Sequence, residues 1–167
     1  MAIKDGLLSE FDHEMAVTRK LLERVAEDRF AFQPHEKSMT LGRLAGHLAD
    51  IPTWGQTILQ EAEFNMVSGA PHVARPLSTR ADVLDVFDGN IKKIRGLLAG
   101  MSDANLMSPW TFKQDGREMF SMPRVAAWRS WVMSHMIHHR GQLSVYLRHT
   151  GSKVPSIYGP SADESGS

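Results

Sequence analysis

The 167-residue chain contains no cysteine. That absence removes disulfides, thiolate metal sites and a cysteine nucleophile of its own. Any transition metal must be held by histidine or carboxylate, and any thiol chemistry needs a thiol from outside. Charge of one sign is missing too: 19 Lys and Arg balance 19 Asp and Glu. Without a basic stripe there is no electrostatic case for nucleic acid. No apolar run approaches the roughly 20 residues of a membrane span. The opening MAIKDGLLSEFDHE carries acidic residues where a signal peptide would be apolar. Apolar residues still make up 42% of the chain, enough for a core and against disorder. The expectation is one cytoplasmic domain over residues 1–158, then a small, polar tail over 159–167 that frays.

What is present is histidine. There are eight, three of them inside residues 135–139.

Four stretches read as helical. In residues 3–28, Leu7, Phe11, Met15, Leu22 and Val25 share one face. In residues 40–61, Thr40 is the expected N-cap. There Leu44, His47, Ile51, Trp54 and Ile58 step by 3, 4, 3 and 4, a bundle seam with a histidine in it. Pro52 lies inside this stretch and should kink or split it. Residues 64–77, with Gly69, Pro71 and Pro76, read as a long irregular connection. Residues 78–99 form the third stretch, with a capping-box pattern at Thr79 and Asp82 and Gly100 as its stop.

Residues 109–120 carry Asp115-Gly116 between short, partly alternating runs, a hairpin signal. Two strands alone are marginal, so the hairpin must lie against the helices. The fourth stretch, residues 123–149, aligns Trp128, Val132, His135, His139, Gln142 and Tyr146, with Gly151 as its stop. The fold class expected is all-α: a four-helix bundle with a long crossover between helices two and three and a short hairpin before helix four.

His47, His135 and His139 thus fall on core-facing seams. His135 and His139 are i and i+4, with Cβ atoms roughly 6 Å apart. Two imidazoles at that spacing can converge on one ion at about 2.0–2.1 Å, and a third from a neighbouring helix completes a triangular face. Such a site leaves coordination positions open to water or substrate. A lone buried histidine is more often satisfied by hydrogen bonds than by metal. Three of them, unpaired in an apolar bundle, would each cost of order 1–3 kcal/mol.

His138 points sideways, about 100° from His139, and substitutes as a ligand only if the seam is rotated. His13, His35, His72 and His149 have no partner at ligand spacing. Gln142 can hydrogen-bond into the cavity, and Tyr158 is a second candidate for a polar supporting role. Arg140 reads as a surface or interface ion-pair member. Gly141 reads equally as a close-approach point and as a tolerated defect. The sequence has no P-loop, GxGxxG, G-x-S-x-G or HExxH. No catalytic base and no organic cofactor-binding residues can be named. An all-histidine ligand set suits Zn or Ni first, with Fe, Mn or Cu as alternatives.

Two blocks carry a resemblance. Ser38-Met39-Thr40-Leu41-Gly42-Arg43-Leu44-Ala45-Gly46-His47-Leu48, followed by Trp54, resembles the second-helix motif of the DinB/YfiT-like family of metal-dependent proteins. His135-Met136-Ile137-His138-His139-Arg140-Gly141-Gln142-Leu143 resembles its fourth-helix motif, and Val154-Pro155-Ser156-Ile157-Tyr158-Gly159 its closing segment. The resemblance implies a homodimer of four-helix bundles, each holding a divalent metal through His47, His135 and His139. It also implies a small-molecule substrate, and in some members an S-transferase or isomerase reaction with a low-molecular-weight thiol cosubstrate such as bacillithiol, mycothiol or glutathione. A metal-dependent hydrolase and a non-catalytic metal-binding stress-response protein are the alternatives, because a shared bundle does not fix a chemistry.

Overall fold

The computed structural model describes residues 2–69 and 77–164. The chain is mostly helical with one small sheet: α1 (Ile3–Leu22), α2 (Leu41–Asp50), α3 (Trp54–Gln60), β1 (Glu63–Met66), α4 (Arg80–Ala99), α5 (Asp103–Met107), β2 (Pro109–Gln114), β3 (Arg117–Pro123), α6 (Arg124–Trp128), a π-helical segment (Arg129–Ser134) and α7 (His135–His149). An all-α class is therefore corrected by a three-stranded sheet in the order β1-β2-β3.

Helix α1 stops at Leu22 rather than at residue 28. The Val25 N–H turns back to the Leu22 carbonyl (3.2 Å), and Val25 still packs in the core beside Leu21 and Leu22. Thr40 caps α2 as expected, its hydroxyl accepting the Arg43 N–H (3.2 Å). Pro52 splits the second stretch: Ile51–Thr53 is a 3₁₀ turn between α2 and α3, consistent with a residue that has no N–H to donate. Thr79 and Asp82 form the expected reciprocal capping box of α4, both bonds at 3.0 Å. α1 packs on α4 and α7, and α2 packs on the same two helices.

The hairpin turns through Asp115 (φ 50°) and Gly116 (φ 80°). Two consecutive positive φ values are the primed-turn geometry that matches strand twist. β1 pairs in parallel with β2, so the connection from residue 64 begins as a strand; residues 70–76 lie outside the described residues. This third strand supplies what a lone hairpin lacks. Phe64, Phe112 and Phe120 stand in register across the three strands, and Trp131 packs against Phe112 with centroids 4.9 Å apart and the rings tilted by 35°. The aromatic row fastens the sheet to the start of the fourth helical stretch.

That stretch is not one α-helix. Six residues, Arg129–Ser134, wind as π-helix before α7 begins at His135. Gly151 (φ 78°) ends α7 in the left-handed conformation that glycine tolerates best. Beyond it the chain is tied down: Asp163 accepts the Val154 N–H (2.9 Å), and Glu164 accepts the Ser156 N–H (2.7 Å).

Two glycines separate packing from propensity. A Cβ on Gly55 would stand 2.8 Å from the Trp128 ring and 2.9 Å from Ile94, whereas one on Gly141 would meet nothing within 4 Å. Gly55→Ala should therefore destabilise by about 1–3 kcal/mol through overpacking. Gly141→Ala should stabilise by up to about 1 kcal/mol through helix propensity. Urea unfolding of both variants checks the pair.

Candidate metal centre

The structure brings His47, His135 and His139 together. One nitrogen from each lies within 4.8 Å of the others. His47 comes from α2 and the other two from the first turns of α7, so the seams read from 3–4 spacing do face each other. The ring centroids form a triangle of 4.5, 4.7 and 5.0 Å. The Nε2 atoms of His47 and His135 are 3.2 Å apart. Two nitrogens bound at about 2.05 Å around one ion are separated by about 2.9–3.4 Å at octahedral or tetrahedral angles. The donor set fits a divalent transition ion.

All three rings are half-buried. Burial is the first cause that holds His135 and His139 below the ordinary value of 6.5. The neighbouring His139 and His138 add to it at His135, while His138 adds to it at His139. Hydrogen bonds to the Trp131 backbone and to Gln142 oppose the shifts. The outcome at neutral pH is uncharged imidazole, the form that has a lone pair to give.

His138 is exposed and does not join the cluster; its Nε2 faces the Gln142 amide nitrogen (3.2 Å). Gln142 reaches His139 through its amide oxygen, 2.7 Å from Nδ1. His13, His35 and His149 are exposed and belong to no such group among the described residues; His72 lies outside them. α1 also carries Glu10 and His13 three residues apart, a spacing found in di-iron carboxylate bundles. Here Glu10 pairs with Arg129 and His13 faces solvent.

Arg140 departs from its reading as a surface group. It is 1% exposed and pairs with the buried Glu14 of α1 at 2.6 Å. Its guanidinium also donates to the Glu14 carbonyl (3.1 Å), the Thr18 hydroxyl (3.4 Å) and the Tyr158 hydroxyl (2.6 Å). The Tyr158 hydroxyl in turn donates to the Glu14 carboxylate (3.0 Å). Tyr158 thus supports the ion pair rather than the histidines. Burial first, then the Glu14 carboxylate, pushes its phenol up, against the pull of Arg140.

In metal-free protein the unfolded chain binds protons at His135 and His139 that the folded chain refuses. Stability should be full above the ordinary histidine value and fall as pH drops through about 6.5. Melts in chelator at graded pH should show that slope, and His135→Gln/His139→Gln should flatten it. Arg140→Ala strands a buried carboxylate and should cost about 3–5 kcal/mol, read from denaturant unfolding of the same preparation.

Relatives at low identity align over nearly the whole chain. The Bacillus subtilis proteins YrdA and YjoA, both described as uncharacterized, are 25% and 23% identical to the chain. The alignments cover 96% and 95% of this chain and 90% and 97% of theirs. Among solved structures, a DinB-like protein from Bacillus cereus superposes with a TM-score of 0.70 at 20% identity, over 94% of this chain and 98% of that one. The crystal structure of YjoA gives 0.69 at 22% identity, over 93% and 99%. The sequence pattern of the DinB family runs through residues 1–166, which include both helical blocks that supply the three histidines: the chain belongs to the DinB family.

Proposed function

We propose that this protein is a metal-dependent enzyme that holds one divalent transition ion, Zn or Ni first, through His47, His135 and His139. The observation that carries the reading is the convergence of three imidazoles from two helices, with a 3.2 Å Nε2–Nε2 contact. A closed structural site would use a fourth protein ligand. No Asp, Glu or further His among the described residues joins the three. His138 and Gln142 at the rim are exposed, which favours access from solvent.

A divalent ion held there would lower the pKa of a coordinated thiol or water toward neutrality. The chain supplies no thiol of its own, so the reaction we favour is transfer to or from a low-molecular-weight thiol cosubstrate on a small electrophile. The packing of α1 and α2 on α4 and α7 supports reading the core as a four-helix bundle, and a cytoplasmic homodimer is part of the same proposal. Among the described residues no helix is long and apolar enough to cross a membrane.

Elemental analysis of untagged protein beside His47→Ala/His135→Ala/His139→Ala tests the site. About one equivalent of metal is expected in the wild type and none in the variant. An empty wild type after reconstitution with Zn²⁺ and Ni²⁺ would overturn it. Adding glutathione to Co²⁺-loaded protein tests the reaction class. A new sulfur-to-metal charge-transfer band supports thiol chemistry; an unchanged spectrum turns the reading toward a hydrolase.

A further inference from the structure

We propose that the fourth helical stretch fixes both of its histidines as Nδ1–H tautomers, so that both Nε2 lone pairs face His47 before any ion arrives. An exposed His138–Gln142 relay does this for His139, and a backbone carbonyl presented at the end of the π turn does it for His135. The inference rests on the metal reading for its purpose, though the tautomers themselves can be observed without metal.

At His139, Nδ1 lies 2.7 Å from the Gln142 amide oxygen. An amide oxygen only accepts, so Nδ1 carries the proton and Nε2 is left with the lone pair. An amide can turn over, and turning would set an NH₂ against Nδ1 and reverse the tautomer. His138 opposes that. The Gln142 amide nitrogen is 3.2 Å from His138 Nε2; with His138 itself in the Nδ1–H form, its Nε2 accepts from the NH₂ and keeps the oxygen on His139.

At His135 the device is the backbone. In an α-helix the His135 N–H would bond the Trp131 carbonyl, four residues back. At the end of the π segment it goes to the Val132 carbonyl instead. The Trp131 backbone is the group whose hydrogen bonding raises the pKa of the His135 ring against its burial, and with the His135 N–H turned to Val132 the Trp131 carbonyl is the acceptor we assign to the ring. Nε2 of that ring is turned to His47, so the nitrogen left for the carbonyl is Nδ1. A carbonyl has no proton to give, and the ring is again the Nδ1–H form. Supporting partners of this kind fix a ligand's tautomer and orientation, and losing one typically costs about 10–100-fold in metal affinity.

Gln142 is exposed on α7, which makes it a positioning residue that can be changed without disturbing the core. Two-bond ¹H–¹⁵N correlation spectra of ¹⁵N-histidine-labelled, metal-free protein read the tautomers directly. The expected result is Nδ1–H at both His135 and His139 in the wild type. Gln142→Met should release only His139 into a mixture, and Gln142→Glu, which keeps an acceptor, should restore it. His138→Ala should also give a mixture at His139; a pure Nδ1–H form there would remove His138 from the relay. In Zn²⁺ competition against a chelator, Gln142→Met should bind about 10–100-fold more weakly, with Gln142→Glu within a few-fold of wild type. An Nε2–H signal at His139 in the wild type would overturn the inference, as would a Gln142→Met protein with unchanged tautomer and unchanged affinity. Wild-type protein that binds no Zn²⁺ strikes the metal reading alone, because the metal-free spectra still decide the tautomers.

Discussion

The rotation of α7 about its own axis is the constraint on which the rest depends. Successive residues on an α-helix are about 100° apart. His139 and Arg140 therefore cannot serve the same neighbour. Arg140 is locked to Glu14, Thr18 and Tyr158 on the side of α1 and the closing segment. With that direction fixed, His135 and His139 have only the α2 side left, where His47 waits. A buried ion pair contributes little to net stability and much to which arrangement is tolerated, since removing one partner leaves an uncompensated charge. Here it acts as a rotational pin, and the triad is its consequence one residue away.

The sheet sets the other end. Phe64, Phe112 and Phe120 form one row under Trp131, and Arg124 clamps the last carbonyls of α3 through Ile58 and Glu61. These contacts fix residues 124–131, while Arg140 fixes the helix downstream. The π-helical segment begins within the first anchor, with Trp131 on the sheet, and ends before the second. A π turn inserts one residue without breaking the helix. It lets Trp128 sit wholly in the core, Trp131 meet the sheet and His135 meet His47. It also alters which carbonyl the His135 backbone reaches.

Much of this was legible in the sequence where the signal is local. Steps of 3 and 4 through His47 and through His135 and His139 placed the imidazoles on facing seams, and Thr40, Thr79, Pro52 and Asp115-Gly116 marked their caps, split and turn. The departures share a different cause. β1 is four residues long and pairs with a strand nearly fifty residues away, so its existence is decided by a partner that no local window contains. The π segment has neither glycine nor proline to announce it; tertiary anchors at both ends impose it. Arg140 reads as a surface or interface ion-pair member because arginine is seldom fully buried unless paired; the pair exists, but buried. The signal lay on α1, where Glu14 stands among Phe11, Met15 and Thr18 on the buried face. A carboxylate there demands a cation, and only a reading across helices could match them.

The two halves of the fourth-helix motif therefore do different work and should fail differently. Arg140 and Glu14 are buried, and their loss acts on the fold as a whole. Gln142 and His138 are exposed; Gln142 reaches the cluster through its amide oxygen, and His138 sets its ring edge-on against His139 with centroids 4.8 Å apart. A residue that contributes little to packing, yet whose oxygen is 2.7 Å from a ligand-grade imidazole, has its effect on the protonation pattern of the cluster rather than on stability. That separation gives the site its physical meaning. Three imidazoles half out of water are costly to hold in place. The chain adds, beyond the fold itself, groups whose geometry matters only if the lone pairs they aim are to be used.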